Sequence, residues 1–183
     1  FAAERALNLY NLALLRASMG HHSRAIESFE TSLAIGKQLG DLKVIGCSFI
    51  GLGQLADIQG RADDLRECVE AATEHISALG DDHKTHLLLL EAHVNKHAGD
   101  FDLAIDIAQT ALRLAESANL SEEVVASLRV LGVLYRASGQ YRKAEEALRR
   151  SLQLSQERRD PYHQGLAASA PVPDGWPRAQ SGR

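Results

Sequence analysis

Residues 131–154 read LGVLYRASGQYRKAEEALRRSLQL, and the glycine in the middle, Gly139, divides two helical patterns. Before it, Val130, Leu131, Leu134 and Tyr135 recur at the spacing of one helix face. After it, Ala144, Ala147, Leu148 and Ser151 fall at i, i+3, i+4 and i+7, a second apolar stripe. A glycine between two such stripes supplies the positive φ with which a helix ends, a conformation that a Cβ makes costly. The same arrangement recurs along the chain. Gly20, Gly60, Gly99 and Gly139 are spaced by 40, 39 and 40 residues. Five positions after each stands Ala25, Leu65, Ala104 or Ala144, and twelve positions after stands Ser32, Ala72, Ala111 or Ser151. Small residues at those positions let paired helices approach closely, ridge into groove. Asp41, Asp82, Ser121 and Asp160 stand where each following unit begins and are expected to cap its first helix.

The pattern predicts an all-α chain of four helical hairpins, at about 2–39, 42–79, 83–118 and 121–158. One hairpin cannot bury its apolar faces alone, so neighbours must stack into a right-handed α–α superhelix with the first helices lining a concave face. Residues 1–160 are therefore one array. At Asp160-Pro161 a fifth first helix is expected to start with YHQGLAASA, and PVPDGWP then ends it with three prolines and a glycine. The expectation for 161–183 is a truncated first helix and a flexible tail, or a cap in which Trp176 covers the last hairpin. Because the chain starts at Phe1 without an initiator methionine, it is read as a piece of a larger protein.

Composition agrees with helices and narrows function. Aromatics are 5% of the residues, too few for a typical sheet protein, and a formal charge of −4 offers no basic field for nucleic acid. No apolar run is long enough to span a membrane. Cys47 and Cys68 have no partners at zinc or disulfide-framework spacing, which suits reduced thiols in a cytoplasmic protein. Catalysis has no signature: GxSxG, P-loop and HExxH are all missing, and Gly51-Leu52-Gly53 lies in a helical pattern with no strand before it. No cofactor is expected.

The stretches YNLALLRASMGHHSRAIESFETSLAI (10–35) and 131–154 resemble the tetratricopeptide repeat, with Gly132 and Tyr135 in the first helix, Gly139 in the turn, and Tyr141, Ala144, Leu148 and Ser151 in the second. The resemblance covers about residues 2–158. The unit is nearer 40 residues than the usual 34 or so, and endings such as LAIGKQLGD are similar to those of MalT-like bacterial regulators. Repeat two diverges most, with Gly51 and Gly53 in its first helix. The resemblance implies ligands in the concave groove, at Tyr10, Leu14 and Ala17; Ile50, Gln54 and Asp57; Leu89, His93 and Lys96, with His86 and His97 adjacent; and Arg129, Val133 and Arg136. The lysines and asparagines of a chaperone-type carboxylate clamp are not in place.

Two features of that groove carry chemistry. His93 and His97 are an i, i+4 pair, but two ligands beside Lys96 do not make a metal site, and none is expected. His93, Lys96, His97, Arg129 and Arg136 would form a cationic stretch suited to a carboxylate or phosphate. The alternative is that both arginines pair with acidic neighbours. The leading expectation is a non-catalytic scaffold for a protein or peptide, acidic in character, within a larger bacterial regulatory protein. The alternative is a MalT-like sensor of a small anionic or sugar inducer. Self-association through the ends of the array, where Leu148 and Leu152 would be uncovered, is also expected.

Overall fold

Every turn between the two helices of a hairpin is made at one of the repeat glycines. In the computed structural model, which describes residues 1–169 (side chains through 157), Gly20, Gly60, Gly99 and Gly139 have φ of 76, 70, 84 and 78°. The helices they separate are α1 (Ala2–Ser18) and α2 (His22–Leu39), α3 (Leu42–Ile58) and α4 (Ala62–Thr73), α5 (Asp81–Ala98) and α6 (Phe101–Ser117), and α7 (Ser121–Ala137) and α8 (Tyr141–Ser169). A short 3₁₀ turn, Ile76–Ala78, follows α4. Between units, Gly40 takes the left-handed conformation after α2, and Asn119 does the same after α6 with φ 56°. Asparagine tolerates that region because its short polar side chain can bond locally.

Helix starts follow the expectation only in part. Asp41 accepts from the Val44 amide and caps α3. Asp82 and Ser121 cap nothing: α5 begins at Asp81 behind Gly80, and α7 begins at Ser121 itself behind Leu120. Asp82 instead lies 2.8 Å from His83 Nδ1 and serves as a first-turn acid. Asp100 is a cap the repeat comparison missed; it accepts from the Leu103 amide at the start of α6. No separate helix starts at Asp160, because α8 is one helix from Tyr141 to Ser169. Pro161 removes a single i→i−4 bond, and α8 runs on past it. The expected tail and the Trp176 cap lie outside the described residues.

Stacking gives the array its two faces. The first helices touch one another in order, α1 on α3, α3 on α5 and α5 on α7, whereas the second helices meet chiefly first helices. An inner layer of α1, α3, α5 and α7 and a more widely spaced outer layer of α2, α4, α6 and α8 make a curved α–α superhelix. No strand occurs among the described residues.

Alanine and serine set the helix spacing. Ala13, Ala25, Ala72, Ala104, Ala108 and Ala111 are fully buried where helices cross. In units one and four the serines of the repeat also bond across the hairpin: Ser32 Oγ donates to the Ala6 carbonyl at 2.8 Å and Ser151 Oγ to the Val125 carbonyl at 3.2 Å. Gly51, which makes repeat two look divergent, has a packing reason. Phe29 of α2 presses on it, and an added Cβ would lie 2.9 Å from Phe29 Cδ1 and nearer still to Cε1 and Cζ.

Candidate functional site

Helical register decides which expected groove residues face the groove. Ile50 and Leu89 are 2% and 6% exposed, packed between successive first helices. Tyr10 shares their register. It lies edge-on to Phe29, with ring centroids 5.6 Å apart, and its hydroxyl is 3.4 Å from His83 Nε2. Desolvation, with Cys47 and Asp82 nearby, pushes the Tyr10 phenol pKa well up, so the hydroxyl stays protonated. Arg129 occupies the same register on α7, where no further first helix packs on it among the described residues, and is exposed. It therefore lies on the open side of the last unit. Gln54, His93 and Val133, one helical turn on, are half-buried.

A third register carries the charge. Asp57, Lys96 and Arg136 stand at equivalent positions of α3, α5 and α7, 39 and 40 residues apart. Among the described residues Lys96, Arg129 and Arg136 make no ion pair. Acidic neighbours thus do not take up the arginines. Other arginines are committed: Arg150 reaches Glu116 at 2.6 Å and Arg149 reaches Glu145 at 2.7 Å.

The histidines behave differently from a simple cationic stripe. His93 Nδ1 lies 2.7 Å from Asp57 Oδ2 without the alignment of a directed hydrogen bond, and His97 Nε2 is 3.4 Å from Asp57 Oδ1. One carboxylate of α3 is thus held between two imidazoles one turn apart on α5. Burial works to raise the Asp57 pKa, but His93, His97 and the Lys96 charge outweigh it and hold the carboxyl below its usual value. Towards α7, His86 Nε2 is 3.7 Å from Glu123 Oε1. Burial lowers the His86 pKa, and Glu123 only partly opposes that. Sequence spacing could not reveal Asp57 as the partner of His93 and His97, since it sits on another helix 36 residues before His93. Among the described residues no three metal-ligating side chains are arranged to hold an ion.

At the other end of the groove a cavity of about 480 Å³ opens between α1, α3 and α5, with Leu7, Tyr10, Val44 and Cys47 along its walls. Glu4, Asn11, Asp41, Lys43 and His83 supply its polar groups. Of these only Tyr10 was expected as a groove residue. No helix among the described residues is long and apolar enough to cross a membrane.

Comparison with known proteins agrees with this geometry. Family profiles for the tetratricopeptide repeat match residues 85–157 and 9–43. The solved structure of BtubC (BKLC) from P. vanneervenii is similar over 97% of this chain and 70% of its own, with a TM-score of 0.63 at 17% identity. Nearly identical TPR-like repeats of a kinesin light chain-like protein from Podosopora anserina, solved as a point variant, are similar over 85% of this chain and 77% of theirs, with a TM-score of 0.58 at 19% identity. At such identities the likeness is one of fold. No curated protein matches the chain in sequence.

Proposed function

The chain belongs to the tetratricopeptide repeat family, whose repeats generally mediate protein–protein binding, and on that premise we propose that it is a non-catalytic scaffold holding an acidic segment of a partner in its concave groove. The observation that carries the proposal is the pair Lys96 and Arg136, at equivalent positions of adjacent first helices and without ion-pair partners among the described residues. Packed helix axes are about 8–10 Å apart, a spacing that an extended acidic peptide spans with two or three residues. Exposed Arg129 extends the same positive surface to the edge of α7. The Arg136 guanidinium, with no internal carboxylate paired to it, loses little on meeting one from outside, and Lys96, which feels Asp57 but makes no ion pair among the described residues, adds a second cation.

The test is binding of acidic, neutral and basic octapeptides followed by fluorescence anisotropy. Selective binding of the acidic peptide, weakened about tenfold or more by Lys96→Ala/Arg136→Ala, is expected. Equal binding of all three, or an unaffected double variant, would refute the reading.

The chain's parent, on this proposal, is a larger cytoplasmic regulatory or signalling protein of bacterial type, as the alanine- and arginine-rich repeats and MalT-like unit endings suggest. A second reading, a sensor of a small ligand, is favoured by the cavity between α1, α3 and α5. There an aromatic ring, Tyr10, meets an amide, Asn11, and the acids Glu4 and Asp41, a set suited to a polyhydroxylated molecule. A sugar-dependent rise in melting temperature that Tyr10→Ala abolishes would select it. Self-association belongs to the same proposal. Leu12 and Leu15 on α1 and Leu148 and Leu152 on α8 are exposed, and end-to-end contact would cover them. Sedimentation that shows one species at all concentrations would exclude such contact.

A further inference from the structure

The positive register at Lys96 and Arg136 is flanked by a carboxylate that two histidines hold, and the charge of that cluster depends on protons. We infer that Asp57, His93 and His97 make the anion affinity of the groove proton-linked, so that an acidic partner is held more tightly as the pH falls through the histidine range. The inference rests on the acidic-partner reading above and concerns the regulation of that same groove.

Charge counted on a fixed geometry sets the direction. His93 Nδ1 is 2.7 Å and His97 Nε2 3.4 Å from the two oxygens of one carboxylate. With both imidazoles neutral the trio carries −1; with one protonated it is neutral; with both protonated it carries +1. Histidine is the side chain whose ordinary titration crosses this range near neutrality. Lys96 lies on the same turn of α5, and Arg136 at the equivalent position of α7. Nearby charges on the adjoining turns are committed elsewhere: Arg61 pairs with Asp64, and Asp100 caps α6. Glu123 faces His86, nearly two turns before His93 on α5. An anion seated against Lys96 and Arg136 therefore meets a neighbour that changes from repulsive to attractive as protons are added. Because the trio is only partly buried, with all three side chains 20–31% exposed, solvent screens the effect without removing it. Two unit charges gained within a Debye length amount to about a fivefold change in affinity.

The experiment uses the full chain and an octa-aspartate peptide carrying a pH-insensitive rhodamine, with anisotropy read at about pH 5.5, 6.5 and 7.5 at constant ionic strength. Aspartate, with an ordinary pKa of about 3.9, keeps its charge across that range. About fivefold tighter binding at the lowest pH than at the highest is expected, with the dependence lost in His93→Gln/His97→Gln and kept in His21→Gln, an exposed histidine at a hairpin turn. Asp57→Asn should bind more tightly than the native chain at the highest pH, since it removes the repulsive charge. Affinity that is the same at all three pH values, or a dependence that survives the double histidine variant, would overturn the inference. Binding absent at every pH would instead overturn the acidic-partner reading on which it rests.

Discussion

Replacing Gly51 by alanine sets two effects of known sign against each other. Glycine inside a helix is worse than alanine by about 1 kcal/mol, so at an open position the substitution stabilises. At Gly51 the new methyl would enter the Phe29 ring, with Cδ1 at 2.9 Å and two further ring carbons closer. Phe29 is 1% exposed, edge-on to Tyr10 and packed on Ala13 and Leu55, so its ring has no free direction in which to swing. Overpacking of this kind costs about 1–3 kcal/mol, and the rigid neighbours place it near the upper end. The net expectation is a loss of about 2 kcal/mol, or about 4–8 °C in melting temperature for a chain of this size. Urea and thermal unfolding followed by circular dichroism would measure it, and Phe29→Leu supplies the second leg of a double-mutant cycle. In the Phe29→Leu background Gly51→Ala should be neutral or stabilising, a coupling of about 2 kcal/mol or more. A gain in stability from Gly51→Ala alone would refute the packing account of repeat two.

Gly132→Ala is a contrasting case: its Cβ would meet Leu148 Cγ at 2.5 Å, but Leu148 is 42% exposed and can turn aside, so a change within about 0.5 kcal/mol in the same melts is expected. Asp57, whose folded pKa is depressed, contributes stability that is present above the unfolded carboxylate value of about 3.9 and is lost as the pH falls from there through the lower folded value. Asp57→Asn should flatten the acid limb of a stability-versus-pH curve in that window. His86, whose folded pKa is also lowered, favours its neutral form when folded, so its contribution is present above the unfolded value of about 6.5 and declines below it. His86→Gln should remove that part of the decline in urea melts between about pH 7 and 5. Burial pushes both thiols, Cys47 and Cys68, up to about 11, and mass spectrometry after iodoacetamide at about pH 8 should show native labelling at least about tenfold slower than in denaturant.

The fold was legible because the repeat writes its backbone requirements into single residues. Gly20, Gly60, Gly99 and Gly139 mark hairpin turns, and all four have the positive φ that the spacing implied. The small residues five and twelve positions later mark helix crossings, and Ser32 and Ser151 even share one kind of cross-hairpin bond. Helix starts were less legible. Asp82 and Ser121 look like caps by position, but a shift of one or two residues in where α5 and α7 begin puts both inside the helix. At the candidate site the sequence supplied the residues without their pairing. Asp57 reaches His93 and His97 only through the stacking of α3 on α5, a contact set by superhelix geometry that no local spacing encodes. Arg129 was grouped with groove residues by alignment. It shares the register of Tyr10, Ile50 and Leu89; Ile50 and Leu89 are buried, whereas Arg129, on the last first helix among the described residues, is exposed.

The claim that the inner layer is the binding surface is tested most directly by NMR on isotopically labelled chain titrated with octa-aspartate. Shift changes concentrated on α3, α5 and α7, largest at Lys96 and Arg136 and their neighbours, are the predicted result, with α2, α4 and α6 nearly silent. Changes confined to the outer helices, or spread evenly over both layers, would contradict it.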